Sequence, residues 1–264
     1  MSQAKLSLLQ RQRYKINFIA LDELWCESNM LSTLIISDLH LTNVELDKIK
    51  LFENFCKEQA SKVDQLFILG DLFNSWIGDD ASLSIYDDII STLKELSNKT
   101  KVFVMAGNRD FLLSKNFEIE SGCKLIKEPF ELEHNSKKYL LIHGDSLCTD
   151  DVNYQKLKKV LRKPIVQFIF LSLPINTRLK LTGQIRKKSI EAQSYKSEEI
   201  MDINQNTTNL VMSKYPGYDL IHGHTHRQKT HTQEKYTRHV LGDWSNTNGN
   251  AIKITDKLEW LEIN

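Results

Sequence analysis

Five short clusters could do chemistry: Asp38-x-His40, Gly70-Asp71, Gly107-Asn108, His143-Gly144 and Gly223-His224-Thr225-His226. They offer carboxylate, imidazole and amide oxygen but no thiolate, a donor set that suits Mn²⁺, Fe or Zn²⁺ and leans toward Mn²⁺. Two ions about 3.5–4 Å apart need a shared ligand, and Asp71 is the natural bridge. Water held between such ions loses a proton near neutral pH and can attack phosphorus in line. Taken singly, each cluster has a plainer reading. Gly-Asp and Gly-Asn are ordinary turn signals, and a buried His is more often a hydrogen-bonded core residue than a ligand. Their occurrence together and in order points to a two-metal hydrolase acting on a phosphate ester or phosphoanhydride.

Each cluster directly follows a run that reads as a strand. Thr33–Ser37, Leu66–Leu69, Val102–Met105, Tyr139–Ile142 and Asp219–Ile221 are short apolar or β-rich segments. Between the first ones lie helical patterns. Leu46, Ile49, Phe52 and Phe55 recur at intervals of three within Glu45–Ala60, and a second helix is expected over Ile85–Leu96. Strand–helix alternation implies parallel βαβ units, with ligands gathered outside the carboxyl ends of the strands. Arg238–Leu241, Ala251–Ile254 and Leu258–Ile263 read as closing antiparallel strands. The stretch from Asp151 to about Lys214 reads as almost wholly helical and interrupts the strand pattern. The expected organisation is therefore α/β: a core over 30–150 and 215–264, with an inserted helical cap over 151–214.

The 264 residues carry a formal net charge of +1, which argues against a basic, nucleic-acid-binding protein. That average hides an imbalance. From Val152 to Ile200 there are eleven Lys or Arg against three Glu. A basic segment beside an acidic body suggests an anionic substrate or an anionic membrane surface. Inside it, Pro164–Ile175 is apolar and flanked by Lys158, Lys159, Arg162 and Lys163 before, and Arg178 and Lys180 after. An apolar patch within a basic collar suits an interfacial, acyl-chain-binding surface; the plainer alternative is core for the cap. Cys26, Cys56, Cys123 and Cys148 are scattered and read as reduced, buried thiols. No run reaches the ~20 apolar residues of a membrane span. Residues 1–29 form an N-terminal extension that does not read as a signal peptide, since Asp22 and Glu23 break its one apolar stretch. A cytoplasmic protein is expected.

The order DxH…GD…GNxD…H…GHxH resembles the calcineurin-like metallophosphoesterase family over almost everything after Met30. More narrowly, ISDLHL, LGDLFNSWIGDD, GNRDFLL, HGDSLCTDD, IMDINQN, IHGHTHR and LGDW resemble the branch that cleaves UDP-2,3-diacylglucosamine in lipid A biosynthesis. GNRD is telling, because many other members carry His where this chain has Arg109. The resemblance implies a two-sheet sandwich flanked by helices. It implies one ion on Asp38, His40, Asp71 and His226, and a second on Asp71, Asn108, His143 and His224, both Mn²⁺. It implies substrate contacts from Asn108, Arg109, Asp151, Ser189, Lys196 and His224, with catalysis by Asn108, Arg109 and His143. Gln193 stands where the branch has Asn. The implied products are 2,3-diacylglucosamine 1-phosphate (lipid X) and UMP, and the implied place is the cytoplasmic face of the inner membrane. Independently of the resemblance, the planar Arg109 guanidinium suits two phosphate oxygens at once, the alternative being an ion pair with Asp110. Rival readings are another phosphoesterase of the same fold, such as a nucleotide pyrophosphatase, protein phosphatase or nuclease, and a non-catalytic scaffold.

Overall fold

A computed structural model describes residues 31–194 and 202–264. The first strand, β1 (Thr33–Ile36), is buried throughout. Its side chains alternate as strand pleating requires. Leu34 and Ile36 pack toward helices, whereas Ile35 packs toward a second sheet. The strands β2 (Gln65–Leu69), β3 (Lys101–Met105) and β4 (Lys124–Ile126) follow β1 in parallel. On the other side of β1, β10 (Gly249–Ile254) and β11 (Leu258–Ile263) close the sheet antiparallel. The six strands run β11-β10-β1-β2-β3-β4.

The second sheet has the order β5-β6-β7-β9-β8. It comprises β5 (Phe130–His134), β6 (Lys137–Ile142), β7 (Tyr218–His222), β8 (Lys229–Thr232) and β9 (Thr237–Val240). Here one expectation is corrected. β9 runs antiparallel only to β8 and lies parallel to β7, which places Arg238, His239 and Val240 beside Leu220, Ile221 and His222.

Three apolar layers hold the sheets. Ile35, Phe67, Leu69 and Met105 meet Leu132, Tyr139, Leu141 and Ile221 between the two sheets. Outside the first sheet, α1 (Leu46–Glu58) buries Ile49, Phe52, Phe55 and Cys56 on one face. α3 (Asp87–Ser97) adds Ile89, Ile90, Leu93 and Leu96. Each such side chain contributes roughly 1.5–3 kcal/mol on full burial. The helix expected over Ile85–Leu96 is two: α2 (Asp79–Ile85) and α3, separated at Tyr86. The Tyr86 ring packs against Phe73 and Trp76 while its hydroxyl donates to the Ser75 carbonyl, and this bends the chain there. α4 (Lys115–Ser121) completes that layer. The described thiols Cys56, Cys123 and Cys148 are buried.

The helical stretch contains α5 (Val152–Leu161), α6 (Pro164–Leu171), α7 (Ile175–Ser194) and α8 (Gln205–Met212). α8 packs Met212 against Leu140, Ile142 and Leu220 of the second sheet. Two of the others differ sharply from the rest: α5 and α6 bury no residue. Among the described residues, no helix is long and apolar enough to cross a membrane.

Candidate active site

Every candidate ligand sits just beyond a strand end: Asp38 and His40 after β1, Asp71 after β2, Asn108 after β3, His143 after β6, His224 and His226 after β7. The loops that carry them are zipped to one another. Asp38 N donates to the Gly70 carbonyl at 3.1 Å and His40 N to the Asp71 carbonyl at 2.9 Å. Gly223 N donates to the His143 carbonyl at 2.9 Å, and His224 N to Asp38 Oδ2 at 2.7 Å.

The backbone carries strain at this rim. Among the described residues, seven non-glycine residues have positive φ, and five of them are Asp38, His40, Asp71, His224 and His226. Left-handed backbone costs a side chain on the order of 1–3 kcal/mol and persists where function over-determines it. Two glycines are needed for close approach rather than for their own φ. A Cβ on Gly107 would overlap Asp71 Oδ1, and one on Gly223 would overlap Ser37 Oγ and Asp38 Oδ2.

The donors converge in two groups. Asp38, His40 and His226 offer ligand atoms within 4.8 Å of one another, and so do Asp38, Asp71 and His143. His226 Nε2 lies 3.3 Å from Asp38 Oδ1 and 3.2 Å from His40 Nε2. Asp71 reaches both groups, with Oδ2 3.8 Å from His40 Nδ1 and Oδ1 3.9 Å from His143 Nε2. Asn108 Oδ1 is 3.0 Å from His143 Nε2, and the His224 ring centroid is 5.1 Å from that of His143. His143 Nδ1–H donates to the Leu69 carbonyl at 2.8 Å, which aims Nε2 at the cluster.

The set fits divalent cations. Asp38 Oδ1 and His40 Nδ1 are buried without a hydrogen-bond partner, which is costly unless a cation or proton meets them. Protonation is skewed in the way such a cluster demands. Burial, with Asp110 and Asp38 nearby, pushes Asp71 up to about 7. Burial opposes charge on His143, but Asp71 and Asp38 outweigh it and raise it to about 9. Burial and the neighbouring His143 lower His224 to about 3. These carboxylates and imidazoles compensate one another with protons, and a divalent ion can replace those protons.

Beside the cluster lies a cavity of about 220 Å³, with walls from two sources. Asn74, Trp76, Asn108, Arg109 and Phe111 come from the core; α5 to α7 supply Tyr154, Arg162, Val166, Phe170, Ile185, Arg186 and Ser189 among others. Arg109 stands at the junction. Its Nε lies 3.3 Å from Asp71 Oδ2 and its Nη1 donates to Asn74 Oδ1 at 3.1 Å. Asp110, the alternative partner, is turned away and accepts from Gly107 N at 2.7 Å.

A family model for calcineurin-like phosphoesterases matches residues 31–228. The chain belongs to the calcineurin-like phosphoesterase family. Among curated proteins it is 40% identical over 226 residues to a UDP-2,3-diacylglucosamine hydrolase of Haemophilus influenzae (strain PittGG), covering 85% of this chain and 95% of that protein. It is 42% identical over 230 residues to the hydrolase of the same name from Escherichia coli O7:K1, with the same coverage. A third, from Ectopseudomonas mendocina, is 43% identical over 216 residues, 80% of this chain and 89% of that one.

This phosphoesterase therefore brings together Asp38, His40, Asp71, Asn108, Arg109, His143, His224 and His226. Ser189 lines the cavity. Asp151 caps α5, accepting from Tyr154 N at 3.1 Å, and is not among the lining residues. Lys196 and the side chain of Gln193 lie outside the described residues, as does the extension 1–29. Several residues at the site were given no role from sequence. Asp243 Oδ2 lies 3.5 Å from His226 Nδ1, Ser37 Oγ donates to Asp38 Oδ2 at 2.7 Å, and Arg186 Nη1 donates to the Asn74 carbonyl at 2.8 Å. Spacing was the available signal for one group: Tyr154, Lys158 and Arg162 recur every four residues, which puts them on one helix face.

Proposed function

We propose that this chain hydrolyses the pyrophosphate of UDP-2,3-diacylglucosamine, giving 2,3-diacylglucosamine 1-phosphate and UMP, as a step of lipid A biosynthesis. The observation that carries the reading is a donor cluster and a largely apolar cavity sharing one wall at Asn108 and Arg109. The identity to the UDP-2,3-diacylglucosamine hydrolases supports it. A plain nucleotide pyrophosphatase or nuclease has no use for walls of Val166, Phe170 and Ile185.

Asp38, His40, Asp71 and His226 would hold one divalent ion, and Asp71, Asn108, His143 and His224 a second, with Asp71 between them. Two Mn²⁺ ions would supply Lewis acidity and a water of lowered pKa. The protein's own residues do the remainder. Arg109 offers a planar fork to the phosphate oxygens and holds charge that develops as the bridging P–O bond breaks. Asn108 and His224 border the phosphate, and the His143–Leu69 hydrogen bond keeps its imidazole from rotating. Water oxygen bonds to the uridine-side phosphorus, and the bridging oxygen leaves with the sugar phosphate. Phe170 and Val166 shelter acyl chains; Ser189, Gln193 and Lys196 meet the polar headgroup. The cap over this site is α5 to α7.

The opposite side of α6 faces outward, with Ile165, Phe168 and Ile169 exposed; Lys159, Lys163 and Lys180, nearby in sequence, are exposed as well. We infer that this face rests on the anionic cytoplasmic leaflet of the inner membrane, where each Lys or Arg contributes on the order of 1 kcal/mol. Hydrolysis in ¹⁸O-water tests the reaction: label is expected in UMP. Label in the sugar phosphate would reverse the attack, and no cleavage would end the substrate assignment.

A further inference from the structure

Asp145 follows the candidate ligand His143 by two residues and has no place in the chemistry above. Its side chain is fully buried, yet it is ringed by cations. Lys158 Nζ lies 2.9 Å from Oδ1, and Arg162 Nη2 3.6 Å from Oδ2. The Tyr154 hydroxyl donates to Oδ2 at 2.7 Å. Tyr154 and Lys158 lie on one stripe of α5, and Arg162, which caps the helix at its C-terminus, continues it. The backbone joins in, because Gln155 Nε2 donates to the Asp145 carbonyl at 2.8 Å and to the Cys148 carbonyl at 3.0 Å.

The same stripe touches the rim at two further points. Arg162 Nη2 donates to the Gly107 carbonyl at 2.9 Å, beside Asn108 and Arg109. The Tyr154 ring stacks on His224, centroids 6.2 Å apart and planes 27° apart. Because α5 buries no residue of its own, apolar burial does not fix its position. A buried carboxylate held by one hydrogen bond and two ion pairs is a strong constraint, and removing one partner leaves the others uncompensated in low dielectric.

We propose that Asp145 is a positioning residue that pins cap helix α5 to the loop after β6, setting the Tyr154–His224 stack and the cavity wall against the metal-ligand rim. It acts through Tyr154, Lys158 and Arg162 and touches no reacting atom. The inference rests on the reading of α5 to α7 as the acyl-binding cap. It assigns to one buried carboxylate the coupling between the part that selects and the part that cuts.

The test is a double-mutant cycle on the full chain with UDP-2,3-diacylglucosamine, using Asp145→Asn, Tyr154→Phe and the double variant. Asp145→Asn is expected to raise KM about tenfold, with kcat within about threefold and metal content unchanged. Tyr154→Phe should raise KM about threefold alone and have little effect in the Asp145→Asn background, because the two act as one unit. Amide hydrogen exchange should quicken across Val152–Leu161 in both single variants while Lys137–Ile142 stays protected. Additive KM effects, or a lowered melting temperature with KM and α5 exchange unchanged, would overturn the proposal. If Asp145→Asn does not fold, Tyr154→Phe decides through KM and exchange. If the wild type does not cleave this substrate, the substrate assignment fails and the exchange experiment still decides the pinning.

Discussion

The ligand rim and the cap solve opposite problems. The rim places seven candidate ligands on loops a few residues long, at the ends of strands whose flanks are filled, and Asp38, Asp71 and His143 are almost completely buried. Five of those ligands hold left-handed backbone, which only a tightly determined frame sustains. The cap is nearly the reverse. Ile165, Phe168 and Ile169 of α6 are exposed, and the helices are tied down by polar pins such as Asp145 and the Arg178–Asp80 pair rather than by a core of their own. On the proposed function, chemistry that depends on tenths of an ångström would sit on the strand-end loops, and recognition of long flexible chains on the helices α5 to α7. Arg109, Asn74 and Arg186 stand where the two meet.

That contrast breaks most severely at Asp71. Asp71→Ala should lose metal and reduce turnover by at least about 10³-fold, as for loss of a preorganised electrostatic element. A folded variant with two bound ions and near-normal turnover would remove Asp71 from the bridge. Gly107→Ala is a subtler assault on the same rigidity, since the added methyl overlaps Asp71 Oδ1. We expect at least about a 100-fold loss with the fold intact, a size typical of small misplacements at a reacting centre. Circular dichroism and metal analysis would separate this from unfolding.

At the junction, Arg109→Lys keeps the charge and loses the fork. A loss above ~10-fold in kcat/KM, over ~1.4 kcal/mol, is expected. An unchanged value would mean that Arg109 serves only Asp71. The smallest effects separate the two faces of α6. Phe170 packs inward against the core, so Phe170→Ser should raise KM for the diacyl substrate about tenfold with kcat and metal content unchanged. Phe168 is 69% exposed, so Phe168→Ser should leave KM in detergent alone and weaken liposome binding. Binding of the wild type should fall with salt without vanishing, because only the charge contribution is screened. If both serine variants behave alike, the two faces have no separate roles.

Much of the rim was legible because each ligand cluster follows an apolar strand and carries glycine or a one-residue spacer. Sequence could place Asp71 beyond β2 and His224 beyond β7 without any knowledge of tertiary contacts. It could not place β4, β5 or β8. Phe130–His134 does alternate, but over only five residues and with just Phe130 and Leu132 apolar, and Lys229–Thr232 has no apolar residue at all, so neither stands out as a strand. The parallel pairing of β9 with β7 escaped because pairing partners leave no mark in local pattern. Asp145 escaped for a related reason: a lone Asp after His-Gly looks like any turn until α5 is laid across it. The apolar run from Pro164 was read as one surface, whereas α6 turns Phe170 in and Phe168 out, a distinction that only packing reveals.

The central claim is that the rim cleaves only what the cap has accepted. It is tested most directly by comparing kcat/KM for UDP-2,3-diacylglucosamine and unacylated UDP-glucosamine, on metal-stripped enzyme reloaded with Mn²⁺. Turnover is expected only after reloading, favouring the diacyl substrate by at least about 100-fold, some 2.7 kcal/mol of selective binding. Equal turnover of both substrates, or full activity without metal, would contradict the account.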